Sequence, residues 1–267
     1  ILLIHGYPQT VYAMRYLLPL FAEKGFFVVA PDYRGAGGSS MPLGGYDKMT
    51  MATDLHKLMV DKLNVQAYSV LGHDIGSMVA TAQALKFRDH VKALIIMECP
   101  QPGTSVYKAF TTEPELTLGP TFHFFFHHAD NLPEQLTYGR EDLYLQHLYD
   151  RLSYKPYFLT NEERQVYYES FRRSGRMRAG FGVYRAFRQD DKDVKENIAS
   201  KGKLSIPILA TGGSESVFCK YIEQIGKEIG GNMQFKPVED ASHWVPEENP
   251  VGLANLTVKF LQEHKIE

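Results

Sequence analysis

No stretch of the 267 residues is long and apolar enough to cross a membrane as a helix. Cysteine is scarce. Cys99 and Cys219 lie far apart in the chain, define no disulfide framework, and neither require nor exclude an oxidising compartment. An excess of one charge is also missing. The 29 basic and 31 acidic residues leave a formal charge of −2, which gives no electrostatic reason to expect nucleic acid. Internal repeats and low-complexity linkers are absent, so nothing divides the chain into an array. What remains is ordinary globular composition, 44% hydrophobic and 22% charged. That length can bury one large core, or a core plus an insertion. The chain opens at Ile1 inside an apolar run and without Met, so the expectation is a fragment lacking its N-terminal strands. Localisation is left open.

The hydrophobic pattern alternates between short runs and helical spacing. Ile1-Leu2-Leu3-Ile4-His5, Phe26 to Ala30, Ala67 to Leu71, Val91 to Met97, Ile206 to Ala210 and Met233 to Pro237 read as buried strands. Between them, Met14 to Glu23, Tyr46 to Leu63, Ser77 to Phe87, Glu215 to Ile229 and Val251 to His264 read as helices. This alternation predicts an α/β fold with a mostly parallel, doubly wound sheet. Cys99 to Lys203 breaks the rhythm. That stretch is rich in Tyr, Phe, Arg and His, and helical patterns such as Leu143 to Leu152 and Glu162 to Arg173 replace the strands. The predicted organisation is a core of 1–98 and 204–267 with a helical cap over 99–203.

The chemistry centres on Gly72-His73-Asp74-Ile75-Gly76. A strand, a turn with glycine at both ends and then a helix make the nucleophile elbow of α/β-hydrolases. Its middle residue here is Asp74 rather than Ser. A carboxylate displaces a leaving group from sp³ carbon and leaves an alkyl ester on the enzyme. That suits epoxide opening or halide expulsion rather than ester cleavage. The bland alternative is an Asp capping the next helix. The catalytic base is expected at His243, in the loop after the last strand and before the last helix. For the acid that orients it, two residues at strand ends compete, Glu98 and Glu215. Glu98 is the stronger, because it abuts a buried strand where a carboxylate needs a partner. Backbone N–H groups of Tyr7, in His5-Gly6-Tyr7-Pro8, and of Ile75 are the expected oxyanion hole.

Together, His5-Gly6-Tyr7-Pro8-Gln9-Thr10, Gly72-His73-Asp74-Ile75-Gly76 and Ser242-His243-Trp244-Val245-Pro246-Glu247-Glu248 resemble the epoxide hydrolase and dehalogenase branch of the α/β-hydrolases, across essentially the whole chain. Within that branch the sequence most resembles the group of the cystic fibrosis transmembrane conductance regulator inhibitory factor. The resemblance implies a helical lid after the sixth core strand. It makes Glu98, in Met97-Glu98-Cys99-Pro100, the expected acid. It also implies a ring-opening pair, His123 in Phe122-His123-Phe124 and Tyr184 in Tyr184-Arg185-Ala186. The paired cysteines of that group around its catalytic His are lacking here, which weakens any inference of secretion. Packed core residues are the bland alternative for His123 and Tyr184.

The implied activity is conversion of an epoxide to a vicinal diol through an ester on Asp74, with no cofactor and no metal. Expected partners are a small epoxide and water, without nucleic acid or membrane span; a homodimer is the assembly considered, and the oligomeric state is left open. His123, His127 and His128 could suggest a metal, but no acidic ligand pattern accompanies them. Two rivals remain. A haloalkane dehalogenase would carry a halide-binding Trp after the nucleophile, where Ile75 stands. A haloacetate dehalogenase would carry arginines just after the nucleophile, where Ile75 and Ser77-Met78 stand. The other rival is a non-catalytic binding protein on the same fold, against which the intact Asp74, Glu98 and His243 set argues.

Overall fold

The structure, a computed structural model, describes residues 1–156 and 158–266. Among the described residues five parallel strands form one sheet in sequence order: β1 (Leu2–Ile4), β2 (Tyr68–His73), β3 (Val91–Met97), β4 (Ile208–Thr211) and β5 (Met233–Phe235). The pleat sorts their side chains to two faces. Leu2, Ile4, Val70, Leu94, Ile96, Ile208 and Ala210 join one buried cluster, together with Met78 and Val79 of helix Ile75–Lys86 and Met51 and Leu55 of helix Lys48–Lys57. Leu3, Leu71, Ala93, Ile95, Met97 and Leu209 join the other. There they meet Leu17 and Phe21 of helix Leu17–Ala22 and the apolar side of helix Pro250–Glu263. Helices on both faces explain why these strands read as continuous apolar runs. Truncating a fully buried residue such as Ile95 to Ala would cost about 2–5 kcal/mol.

The register positions the chemistry. His73 pairs with Met97, and Met97 with Thr211. The next residues along the chain, Asp74, Glu98 and Gly212, therefore leave the sheet side by side at its carboxyl edge. Ile4 pairs with Gly72, which brings the turn after β1 to the same edge. Ligands bind at this edge in open parallel sheets.

Eight helices lie between β3 and β4 among the described residues, from Ser105–Thr112 to Phe187–Lys201. Local signals start several of them. Thr104 caps Ser105–Thr112, and Thr160 with Glu163 forms a full capping box for Asn161–Arg172. This helical layer is pinned to the helices and loops around the sheet by buried polar contacts. Lys48 Nζ lies 2.8 Å from Asp190, Trp244 Nε1 donates to the Tyr149 carbonyl at 3.0 Å, and the Tyr149 hydroxyl donates to the Pro8 carbonyl at 2.5 Å.

Two expectations are corrected. Phe26 to Ala30 is not a full strand; only Val29 bridges to Leu2. Among the described residues its pairing is with β1 through Val29, by Leu3 N–H to the Val29 carbonyl at 2.8 Å and Val29 N–H to the Ile1 carbonyl at 2.9 Å, and a single bridge does not make a ladder over five residues. The helix expected from Glu215 begins at Cys219. Residues 213–218 are instead drawn into turns that face Glu98.

Candidate active site

Strand β2 gives way to helix Ile75–Lys86 at a single residue, Asp74, whose φ of 53° and ψ of −122° lie outside the helical and strand regions. Few non-glycine residues adopt such a backbone unless the surroundings enforce it. Two glycines make the turn sterically feasible. A Cβ on Gly72 would stand 2.2 Å from the Gly76 carbonyl oxygen, and one on Gly76 would stand 2.1 Å from that of Ile4. The turn presents the Asp74 carboxylate to the sheet edge. Asp74 Oδ1 accepts the backbone N–H of Tyr7 at 2.8 Å, and the Ile75 N–H also stabilises the carboxylate. Both backbone donors expected of an oxyanion hole therefore meet at the carboxyl group.

His243 and Glu98 arrive from elsewhere in the chain. Glu98 follows β3 with φ of 61°, the left-handed region, and is fully buried. Its Oε2 lies 3.1 Å from His243 Nδ1. Three further features hold the arrangement. The Gly213 N–H donates to Glu98 Oε1 at 2.9 Å, the Ser216 hydroxyl donates to Oε2 at 2.5 Å, and the His243 N–H donates to the Leu152 carbonyl at 3.1 Å. On its other side, His243 Nε2 stands 3.9 Å from Asp74 Oδ2, beyond a hydrogen bond. Glu215, the competing acid, is exposed and does not join the cluster.

A narrow cavity opens where these groups meet. Asp74, His243 and His123 supply its polar lining, and Phe124, Leu148, Leu152, Phe218 and Trp244 form much of its apolar wall. No Lys or Arg occurs among the described residues lining it. His123 comes from helix Phe122–His128. Tyr184, near the end of helix Arg176–Arg185, is buried beside it with ring centroids 5.4 Å apart, and its ring is 5.3 Å from that of Tyr7. Tyr184 packs against the cavity residues without being part of the lining.

Burial sets the protonation states. It raises the Asp74 pKa, against the pull of His243 and the two backbone N–H groups. It drives His123 well below the ordinary histidine value, with Arg151, His243 and His147 pushing the same way, so the ring is neutral. Burial and the nearby Asp74 carboxylate hold the Tyr184 phenol well above its usual range, so its hydroxyl keeps its proton. The arrangement therefore brings together a buried carboxyl group in the elbow, an imidazole held by a second carboxyl group, a neutral His123 in the cavity lining and a protonated Tyr184 packed behind it.

Sequence reasoning missed several supports. Ser216 gives no signal in its Gly-Gly-Ser-Glu-Ser context, because only the turn after β4 brings it to Glu98. His73 was part of the elbow motif but had no assigned role. Its Nε2–H donates to the His243 carbonyl at 2.7 Å, and its Nδ1 is 3.1 Å from the Gln9 amide. Gln9 in turn donates to buried Glu247 at 2.6 Å. A buried histidine beside the nucleophile was the available clue.

Known proteins share this fold. The model of the alpha/beta hydrolase fold family matches residues 1–250. Over 264 residues the chain is 35% identical to the soluble epoxide hydrolase of Corynebacterium sp. (strain C12), covering 97% of this chain and 89% of that protein. The crystal structure of wild-type Cfl2 from Burkholderia cenocepacia superposes with a TM-score of 0.91 at 31% identity, covering 97% of this chain and 86% of that one. The epoxide hydrolase CorEH without ligand superposes with a TM-score of 0.89 at 32% identity, covering 98% and 90%. The chain belongs to the alpha/beta hydrolase fold family.

Proposed function

We propose that this member of the alpha/beta hydrolase fold family is an epoxide hydrolase that works through an ester on Asp74. The observation that carries the reading is the pairing of a carboxylate in the elbow with a base that does not hydrogen-bond to it. A serine nucleophile needs its base within reach to remove its proton. A carboxylate has no proton to lose, so His243 Nε2, 3.9 Å away, is free to act on water. The similarity to the Corynebacterium epoxide hydrolase supports the same class of reaction.

In the first step Asp74 Oδ2 attacks an epoxide carbon, the carbon–oxygen bond opens, and the ring oxygen develops alkoxide charge. His123 and Tyr184 are the proposed donors to that oxygen, which leaves the step with a proton from this pair or from water. In the second step His243 takes a proton from water, and the hydroxide attacks the ester carbonyl carbon. Glu98 stabilises the imidazolium. The carbonyl oxygen is Asp74 Oδ1, already seated on the Tyr7 N–H, where charge develops in the tetrahedral intermediate. Collapse expels the product oxygen, which takes the proton held by His243; the second water proton, left on the carboxyl group, passes back to the source that protonated the alkoxide in the first step, and Asp74 is again a carboxylate. The net reaction is epoxide plus water to vicinal diol.

We assign residues 99–203 as the cap that closes this site, since both proposed donors and the walls Phe124, Leu148 and Leu152 come from it. The apolar lining favours a small uncharged epoxide, because a substrate carboxylate would be buried without a counter-charge. The test is intact-mass analysis of His243→Gln with an epoxide panel. The expected result is an adduct on Asp74 equal in mass to the epoxide. Absence of an adduct with every substrate the wild type turns over would overturn the two-step scheme. Halide release without epoxide opening would make the protein a dehalogenase.

A further inference from the structure

We propose that Arg151 is a positioning residue for His123, holding the imidazole in the tautomer that carries its proton on Nε2. The proposal rests on the reading above for the step it assists, but the geometry stands independently of any substrate. Arg151 Nη2 lies 3.5 Å from His123 Nδ1. A guanidinium has donors and no lone pair, and it does not deprotonate in proteins. The contact is attractive only if Nδ1 holds the lone pair. A neutral ring must then carry its proton on Nε2, the nitrogen remote from Arg151, on a residue that lines the cavity with Asp74 and His243. The opposite tautomer would leave Nε2 with no proton to give to the alkoxide of the proposed first step.

Arg151 is itself fixed. Nη1 donates to the Gly119 carbonyl at 2.6 Å and Nη2 to the Pro120 carbonyl at 3.2 Å, while the guanidinium sits over the Phe122 ring at 4.9 Å. The end of helix Glu141–Leu152 thus clasps the turn that leads into helix Phe122–His128. The groups facing His123 come from every neighbouring element. Arg151 and His147 project from one helix, His127 from its own helix, Tyr184 from the adjoining one, and His243 from the core loop. Asp74 faces the same cavity. Arg151 is the only permanent cation in this set, and it also opposes protonation of the ring.

The test uses protein labelled with ¹⁵N at histidine. Long-range ¹H–¹⁵N correlations report which ring nitrogen carries the proton. Wild-type His123 should show Nε2–H alone between about pH 6 and about pH 8, the range in which free histidine titrates. Arg151→Met removes the donor and keeps an apolar stem. It should let Nδ1 take a proton, as the other tautomer or as imidazolium, and slow single-turnover ester formation on Asp74 by about tenfold or more. Arg151→Lys restores a cationic donor and should recover both the spectrum and most of the rate. A wild-type Nδ1–H signal, an unchanged His123 pattern in Arg151→Met, or an altered pattern with an unchanged rate would each overturn the proposal. If Arg151→Met does not fold, the wild-type and Arg151→Lys spectra decide. The spectra need no substrate, so failure to open any epoxide would fall on the proposed function and leave the tautomer result intact.

Discussion

The Glu98 carboxylate lies 3.1 Å from Nδ1 of His243, although 145 positions separate the two residues. Glu98 is fully buried and accepts from Gly213 and Ser216 as well, so its charge is matched by three donors. Glu98→Gln should lower kcat by orders of magnitude, up to about 10⁴, because the amide mis-orients the imidazole. Glu215→Gln should be mild. Ser216→Ala removes one donor to a charged acceptor, worth about 1.5–3 kcal/mol, and should fall between them. Steady-state kinetics on the three variants checks the ranking, and the reverse order would refute the assignment of Glu98.

As the proposed nucleophile, Asp74 must be ionised to attack, and burial raises its pKa. Ester formation should therefore be lost as pH falls through a value above that of an ordinary aspartate, and should level off above it. Asp74→Ala should abolish turnover while keeping the fold, since the Gly72 and Gly76 turn is unchanged. Rapid-quench kinetics against pH, with circular dichroism of the variant, tests both statements. Substantial activity in a folded Asp74→Ala preparation would rule out this nucleophile.

His123→Ala and Tyr184→Phe should each slow ester formation and spare its hydrolysis. Losing one donor at a developing oxyanion costs about 3 kcal/mol in comparable sites. The adduct formed in a His243→Gln background, timed with and without each lid change, isolates the first step. Equal rates would remove both residues from the chemistry.

Lys48 and Asp190 form a buried pair between the helix at Lys48–Lys57 and the helical layer, and Lys48 Nζ also donates to the Val183 carbonyl at 2.7 Å. Lys48→Met should destabilise the protein by about 3–5 kcal/mol, because Asp190 is left as an uncompensated buried charge. Adding Asp190→Leu should recover much of that loss. Urea denaturation of the single and double variants measures it. A double variant no better than the single one would show that the pair contributes more than its desolvation cost.

Glu247 is buried, and its pKa is pushed up to about 7 despite Arg15, Tyr167 and Gln9 beside it. A carboxyl raised above its unfolded value favours the protonated folded state. Its contribution is fully present below about 4.5 and is lost as pH rises toward about 7. The slope in that window is about 1.4 kcal/mol per pH unit. Glu247→Gln should flatten the loss. Unfolding free energies at several pH values, wild type against variant, provide the check, and parallel curves would exclude Glu247 as the titrating group.

Much of this molecule was legible without coordinates. The continuous apolar runs named β1 to β4 because strands covered on both faces need no polar alternation. Gly72, Asp74 and Gly76 named the elbow because only glycine fits where a Cβ would strike a backbone oxygen. The position of His243 between the last strand and the last helix followed from order along the chain. What tertiary structure decided was every relation that depends on register and docking. Glu98 joined His243 while Glu215 turned to solvent, because β3 and β4 end side by side and residues 213–218 fold back onto Glu98 rather than starting a helix. Among the described residues Phe26 to Ala30 pairs with β1 only at Val29, and how far two strands pair is a tertiary relation that local propensity does not encode. Ser216, His73, Gln9 and Arg151 gained their partners only through long-range packing. Local sequence carries steric and periodic requirements, whereas the partner of a buried polar group is set by which distant segment the closed core brings within about 3 Å.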